Sequence, residues 1–135
     1  SAGGALAFST AIRAQQEGIA VAQLVLLDAV PWEETIAEAG QLQALPLLSL
    51  TAESSAMNAR LKVGKLHTAI GFSFTHLHLV NSSHVDPENP PGFFAKSLTT
   101  KTGQELFGGL LKRYVLNENF EDYVAEQEKL GHIRR

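Results

Sequence analysis

The chain has 135 residues, enough for one domain, and its 44% hydrophobic and 19% charged content excludes a disordered protein. The net charge is −3, and no stripe of basic residues indicates nucleic-acid binding. No apolar run approaches the roughly 20 residues of a membrane span. There is no cysteine, which excludes disulfides and thiolate chemistry but leaves the cellular compartment open.

The first two predicted elements are a helix and a buried strand. Apolar residues recur at helical spacing over residues 3–17, and Gly18 is a typical helix stop. Residues 21–27 are apolar on both faces and end at Asp28, a pattern typical of a strand inside a parallel sheet.

The rest of the chain continues the alternation of helices and strands. We predict a weak helix over residues 32–42, a buried strand over 45–51, a helix over 55–66 and a strand over 74–80. A turn-rich loop follows, and then two helices over 103–115 and 120–130. This order predicts an α/β fold with parallel strands. Three strands are few for such a sheet, so we expect a single but partial domain, with further strands before Ser1.

Polar side chains follow each predicted strand at its carboxyl end. Asp28 follows the first strand, Glu53 the second and His84 the third. Open α/β sheets bind their ligands beyond the carboxyl ends of the strands. We therefore expect these side chains on one edge of the sheet, together with Ser1 at the start of the first helix.

Three segments of this chain resemble the α/β-hydrolase superfamily over residues 1–90. The first four residues, SAGG, match the later half of the nucleophile elbow G-x-S-x-G, in which a serine lies on a tight turn before a helix. The segments LLDAV and SSHVD follow in the superfamily order of serine, acid and histidine. LLDAV and SHVD are most similar to the chlorophyllase-like branch and related bacterial esterases and lipases. The resemblance implies the C-terminal part of an α/β-hydrolase fold.

The resemblance also implies a catalytic triad that hydrolyses carboxylic esters through an acyl-enzyme. Ser1 is then the nucleophile and His84 its general base, because imidazole exchanges protons near neutral pH. Asp28 is the favoured acid since it ends a wholly apolar strand, and Glu53 is the alternative, at the commoner position for the acid. The N–H of Ala2 would donate to the oxyanion. We expect no cofactor and no metal, and a small-molecule or lipid ester as substrate.

Other interpretations of the same residues stay open. Ser1 also fits a helix N-cap or a plain chain start, and His84 a solvated loop histidine. His76 and His78 share one face of a strand, either the half-exposed face of an edge strand or, with His84 or Asp86, a zinc site. The chain could also be a non-catalytic fragment that requires a missing N-terminal half or a second copy of itself.

Two minor expectations concern the surroundings of this site. Asp86 is predicted to order its loop through an Asx-type turn before Pro87. Apolar residues near the same edge favour an ester with an apolar acyl or alcohol group: Val30, Trp32, Phe93 and Phe94.

Overall fold

The computed structural model describes residues 2–88 and 98–135, which form helices packed on an open sheet. The strands are hydrogen-bonded in the order β1-β2-β3-β4, mostly parallel, with β4 antiparallel to β3. The predicted α/β class with parallel strands is confirmed. The elements are α1 (Ala2–Gln16), β1 (Leu24–Leu27), α2 (Glu33–Glu38), a 3₁₀ turn (Ala39–Gln41), β2 (Leu47–Thr51), α3 (Val63–Ala69), β3 (Thr75–Leu79), α4 (Lys101–Leu116), α5 (Phe120–Lys129) and β4 (Ile133–Arg134).

The described residues divide into two compact units. The first contains the chain up to Ser49 together with Ser54–Thr75, and the second contains Leu50–Glu53 and His76–Arg135. The strand β2 contributes residues to both units.

The first unit has one hydrophobic core, built on the inner face of α1. Phe8 is completely buried there, and Ala11 and Ile12 lie on the same face because their spacing follows the helical period. Leu26 of β1 and Leu66 of α3 belong to the same cluster. Each fully buried side chain of this size contributes about 1.5–3 kcal/mol, so packing of α1 on the sheet stabilises the unit far more than helix propensity does.

The first turn of α1 packs directly against the chain that follows β1. A Cβ atom built on Gly4 would lie 2.6 Å from the Cβ of Ala29, closer than real Cβ atoms come, and 3.0 Å from its Cα. Ala29 is itself buried. Only glycine therefore permits this approach, which brings the start of α1 beside the residue that follows Asp28.

In the second unit, β3 is an inner strand. His78 pairs with Arg134 and Leu79 with Ile133, and the N–H of Val80 donates to the carbonyl of His132. The interpretation of β3 as an edge strand is therefore wrong, because β4 pairs with it on the side away from β2. The sequence pattern did not predict β4.

The predicted helix over residues 55–66 is the largest departure from expectation, since α3 begins only at Val63. Ala59, Arg60 and Leu61 before it all have left-handed backbone, with φ of 49°, 53° and 61°. The side chain of Asn58 accepts hydrogen bonds from backbone N–H groups and replaces the helical bonds of this segment.

None of the helices in residues 2–88 and 98–135 combines the length and the hydrophobicity that crossing a bilayer demands.

Candidate functional site

The predicted nucleophile and oxyanion donor belong to the start of α1. Ser1 lies outside the described residues. Ala2 is the first residue of α1 and is exposed to solvent. The helix that begins there is fixed by the contact of Gly4 with Ala29.

Asp28 follows β1 as a completely buried carboxylate. Its backbone has a φ of 43°, a left-handed conformation that aspartate tolerates better than most residues. The Nδ2 of Asn58 donates to it, at 3.2 Å from Oδ2 and 3.5 Å from Oδ1. A buried carboxylate is tolerated only with such donors, since removing an ion from water costs several kcal/mol or more.

Asn58 was not among the predicted site residues. It is 1% exposed, and its Oδ1 accepts from the backbone N–H of Ser55 at 2.9 Å and of Leu61 at 3.2 Å. The signal that could have found it is an asparagine inside the polar, small-residue run SSAMNA, where a turn competes with a helix.

His84 is half-buried and lies in a hydrogen-bonded turn after β3. The N–H of Asp86 donates to the carbonyl of Ser83 at 3.0 Å, and the N–H of Ser83 donates to Asp86 Oδ2 at 2.6 Å. The hydroxyl of Ser82 closes the preceding turn on the carbonyl of Leu79 at 2.7 Å. The histidine is thus held between two turns.

Asp86 also connects this turn to the start of α4. Its Oδ1 accepts from the N–H of Thr100 at 2.6 Å and its Oδ2 from the Thr100 hydroxyl at 2.8 Å. The Thr100 hydroxyl in turn accepts from the N–H of Gly103 and caps the helix. The loop-ordering role of Asp86 is confirmed, but its carboxylate bonds to Ser83 before it and Thr100 after it instead of forming an Asx-type turn at Pro87.

Glu53, the alternative acid, has its partners in the second unit. Its Oε1 accepts from the N–H of Asn81 at 3.1 Å, and its Oε2 lies 3.2 Å from His78 Nε2, outside hydrogen-bond geometry. Burial alone would raise the pKa of Glu53, but the Asn81 bond and the nearby His78 and Arg134 outweigh it and lower the pKa below 4.5.

His76 and His78 share one threonine. The hydroxyl of Thr51 lies 3.0 Å from His76 Nε2 and 3.2 Å from His78 Nδ1, so it can donate to one ring and accept from the other. Burial, and secondarily the charge of His78, lowers the pKa of His76 below 6.5. Within the described part of the chain, no three His, Asp or Glu side chains form a group that could hold a metal.

The structure brings the start of α1 beside the Asp28 segment in the first unit, and Glu53 beside His78 in the second. Asp28 belongs to the first unit, whereas Glu53 and His84 belong to the second. Phe93 and Phe94 lie outside the described residues. Val30 is half-buried and Trp32 is 47% exposed.

No protein-family model matches the chain, no curated protein matches it, and no solved structure matches it.

Proposed function

We propose that this chain is a serine hydrolase of carboxylic esters, with Ser1 as nucleophile, His84 as general base and Asp28 as the acid. The acid assignment favours Asp28 over Glu53 because Asp28 is completely buried after an apolar strand. Glu53 is only half-buried and is engaged with the N–H of Asn81.

The observation that carries the proposal is the packing of Gly4 against Ala29. It sets the first turn of α1 beside the residue that follows Asp28, with no room for a side chain between them. A helix N-terminus also concentrates unpaired backbone N–H groups and the positive end of the helix dipole. Such donors stabilise an oxyanion, the role that the proposal gives to the N–H of Ala2.

The turn that contains His84 supports the choice of base. A general base must hold one orientation, because proton transfer requires hydrogen-bond geometry. The bonds of Asp86 to Ser83 and Thr100 fix the turn around His84 from both sides. Among the five histidines, His84 is the one that lies in the loop after the carboxyl end of a strand.

The reaction assigned to these residues has two steps. The hydroxyl of Ser1 attacks the ester carbonyl carbon while His84 accepts its proton, and the carbon–oxygen bond to the alcohol then breaks as His84 returns that proton to the leaving group. Water attacks the resulting acyl-enzyme with His84 again as base, releasing the acid and regenerating Ser1. In the proposed triad the acid, a role assigned to Asp28, fixes the tautomer of the base and stabilises its protonated form.

Hydrolysis of p-nitrophenyl butyrate by the full chain tests the proposal. We expect measurable turnover that falls roughly a thousandfold or more in Ser1→Ala, His84→Gln and Asp28→Asn. Labelling with a fluorophosphonate probe, followed by peptide mass spectrometry, should locate the modification at Ser1.

Matched control variants distinguish the loss of a catalytic group from a general loss of folding. Glu53→Gln serves as the partner of Asp28→Asn, and His132→Gln as the partner of His84→Gln, with circular dichroism as the check on folding. Both control variants should keep activity within about threefold of wild type. Equal turnover in wild type and Ser1→Ala would refute the proposed function, and loss in Glu53→Gln but not in Asp28→Asn would transfer the acid role to Glu53.

A further inference from the structure

We infer that Asn58 is a positioning residue for the acid of this reaction, holding the carboxylate of Asp28 in one orientation through its side-chain amide. The inference rests on the proposed function, because it gives a catalytic consequence to a contact inside the first unit. Asn58 Nδ2 lies 3.2 Å from Asp28 Oδ2 and 3.5 Å from Oδ1, and both residues are buried.

The hydrogen bonds of Asn58 leave its amide only one orientation. The backbone N–H groups of Ser55 and Leu61 can only donate, so the atom they both face must be the carbonyl oxygen of the amide. The NH₂ group then has to face Asp28, whose ionised carboxylate can only accept. A rotated amide would place oxygen against carboxylate and NH₂ against two N–H groups, which makes the observed orientation obligatory.

The loop that presents Asn58 is held in a costly backbone conformation. Ala59, Arg60 and Leu61 are three consecutive residues with left-handed φ, an arrangement that side chains with a Cβ rarely adopt. The N–H of Arg60 donates to the carbonyl of Ser55, and Asn58 bridges both ends of the same loop. Strain of this kind persists where surrounding bonds over-determine it, and it is concentrated at functional sites.

The consequence for catalysis is restricted freedom of the Asp28 carboxylate. The carboxylate of a triad acts by accepting from one nitrogen of the histidine, and misplacement by about 1 Å can cost around 100-fold in rate. A donor on the protein side limits rotation of the carboxylate about its last bond. Asn58 therefore affects the reaction rate by orienting the Asp28 carboxylate, although it touches neither substrate nor nucleophile.

The decisive variant is Asn58→Asp, because it changes one group and keeps the shape. One carboxylate oxygen can still accept from Ser55 and Leu61, so the loop bonds remain, while the donor to Asp28 becomes a second acceptor. We expect kcat for p-nitrophenyl butyrate to fall by about 10- to 100-fold with KM changed less than about twofold. The acidic limb of the kcat/KM profile, which reports protonation of the general base, should move to higher pH because an added negative charge beside the acid favours the protonated base.

The control is Ser55→Ala, which removes the Ser55 hydroxyl that accepts weakly from Asn58 N at 3.4 Å in the same loop. It leaves the amide of Asn58 on Asp28, so kcat and the pH profile should match wild type. Unchanged kcat and pH profile in Asn58→Asp, or equal losses in both variants, would overturn the positioning role. Wild-type activity no higher than that of Ser1→Ala would instead overturn the proposed function.

A second measurement tests the contact without requiring the Asn58→Asp variant to fold. The side-chain ¹⁵N–¹H₂ signal of Asn58 should differ in chemical shift between the wild-type chain and Asp28→Asn, because that variant replaces the carboxylate that accepts from Asn58. An Asn58 signal at the same chemical shift in both chains would overturn the contact itself, whatever the activity.

Discussion

At the scale of single residues, buried polar groups and one glycine define this molecule. Asp28, Asn58 and Asp86 are each almost fully buried, and each has hydrogen-bond partners that the structure identifies. Buried polar groups without partners cost about 1–3 kcal/mol each, so these residues hold specific loop geometries in place. Gly4 is important for a different reason: because it has no side chain, it can lie in direct contact with Ala29.

Replacing Gly4 tests the close approach of α1 to the Asp28 segment. In Gly4→Ala the new methyl group overlaps Ala29, so we expect the free energy of unfolding to fall by about 1–3 kcal/mol. Urea denaturation followed by fluorescence of Trp32, the chain's one tryptophan, reports on the first unit.

The control for this glycine is Gly64→Ala in α3. A Cβ at Gly64 meets nothing within 4 Å. The variant should leave stability unchanged or raise it by up to about 1 kcal/mol, because alanine favours helix more than glycine does. Equal stability of Gly4→Ala and wild type would show that the two segments can separate without cost.

At the scale of elements, the start of α4 and the turn containing His84 form one structure. Asp86 accepts from Ser83 in the turn and from Thr100 at the helix cap. A Cβ on Gly103 would overlap Asp86 Oδ2, so the helix's first turn also requires glycine. The sequence predicted a helix over 103–115 and a loop before it, but gave no sign that one buried carboxylate joins them.

Asp86→Ala should therefore destabilise the second unit strongly. The variant leaves the N–H groups of Ser83 and Thr100 without their acceptor, at an expected cost on the order of 3 kcal/mol. Second-derivative absorbance of Tyr114 and Tyr123, the chain's two tyrosines, follows unfolding of this unit in urea. Asp122→Ala, an exposed position in α5, is the matched change and should shift stability by less than about 0.5 kcal/mol. Similar midpoints for both variants would contradict the anchoring role.

At the scale of the whole molecule, the stability of the second unit depends on pH through His76 and Glu53. In the second unit, the half-buried His76 binds a proton less readily in the folded chain than in the unfolded one, since partial burial lowers its pKa below 6.5. The free energy of unfolding then falls as the pH decreases from that ordinary value of 6.5 toward the lower pKa of the folded chain. Glu53, with its pKa lowered below 4.5, loses its stabilising contribution only in more acidic solution, as the pH falls through that folded pKa.

The pH dependence can be assigned by one substitution. Between about pH 7.5 and 5.5 we expect the tyrosine-detected unfolding midpoint to decrease, and His76→Gln to reduce this decrease because glutamine does not titrate. Glutamine also retains a group that can hydrogen-bond to Thr51, which limits damage to packing. A pH dependence identical in wild type and His76→Gln would assign the effect to other groups.

The sequence by itself determined the class of the fold and most of its elements. Mostly apolar runs over residues 24–27 and 45–50 favour strands that are buried on both faces, and their alternation with helical periodicity predicts a parallel sheet. It also drew attention to Asp28, Glu53 and His84, because polar residues that end apolar strands stand out in a linear pattern. Its ester-hydrolase assignment remains a prediction.

Only the tertiary structure decided what depends on contacts distant in the chain. Asn58 meets Asp28 across thirty positions, from a segment that has left-handed backbone where the sequence predicted a helix. The pairing of Ile133–Arg134 with β3, and the bonds from Asp86 to Thr100, have the same origin. Local pattern reports which face of an element is apolar, whereas the partner of a buried polar group is set by which segments the fold brings together.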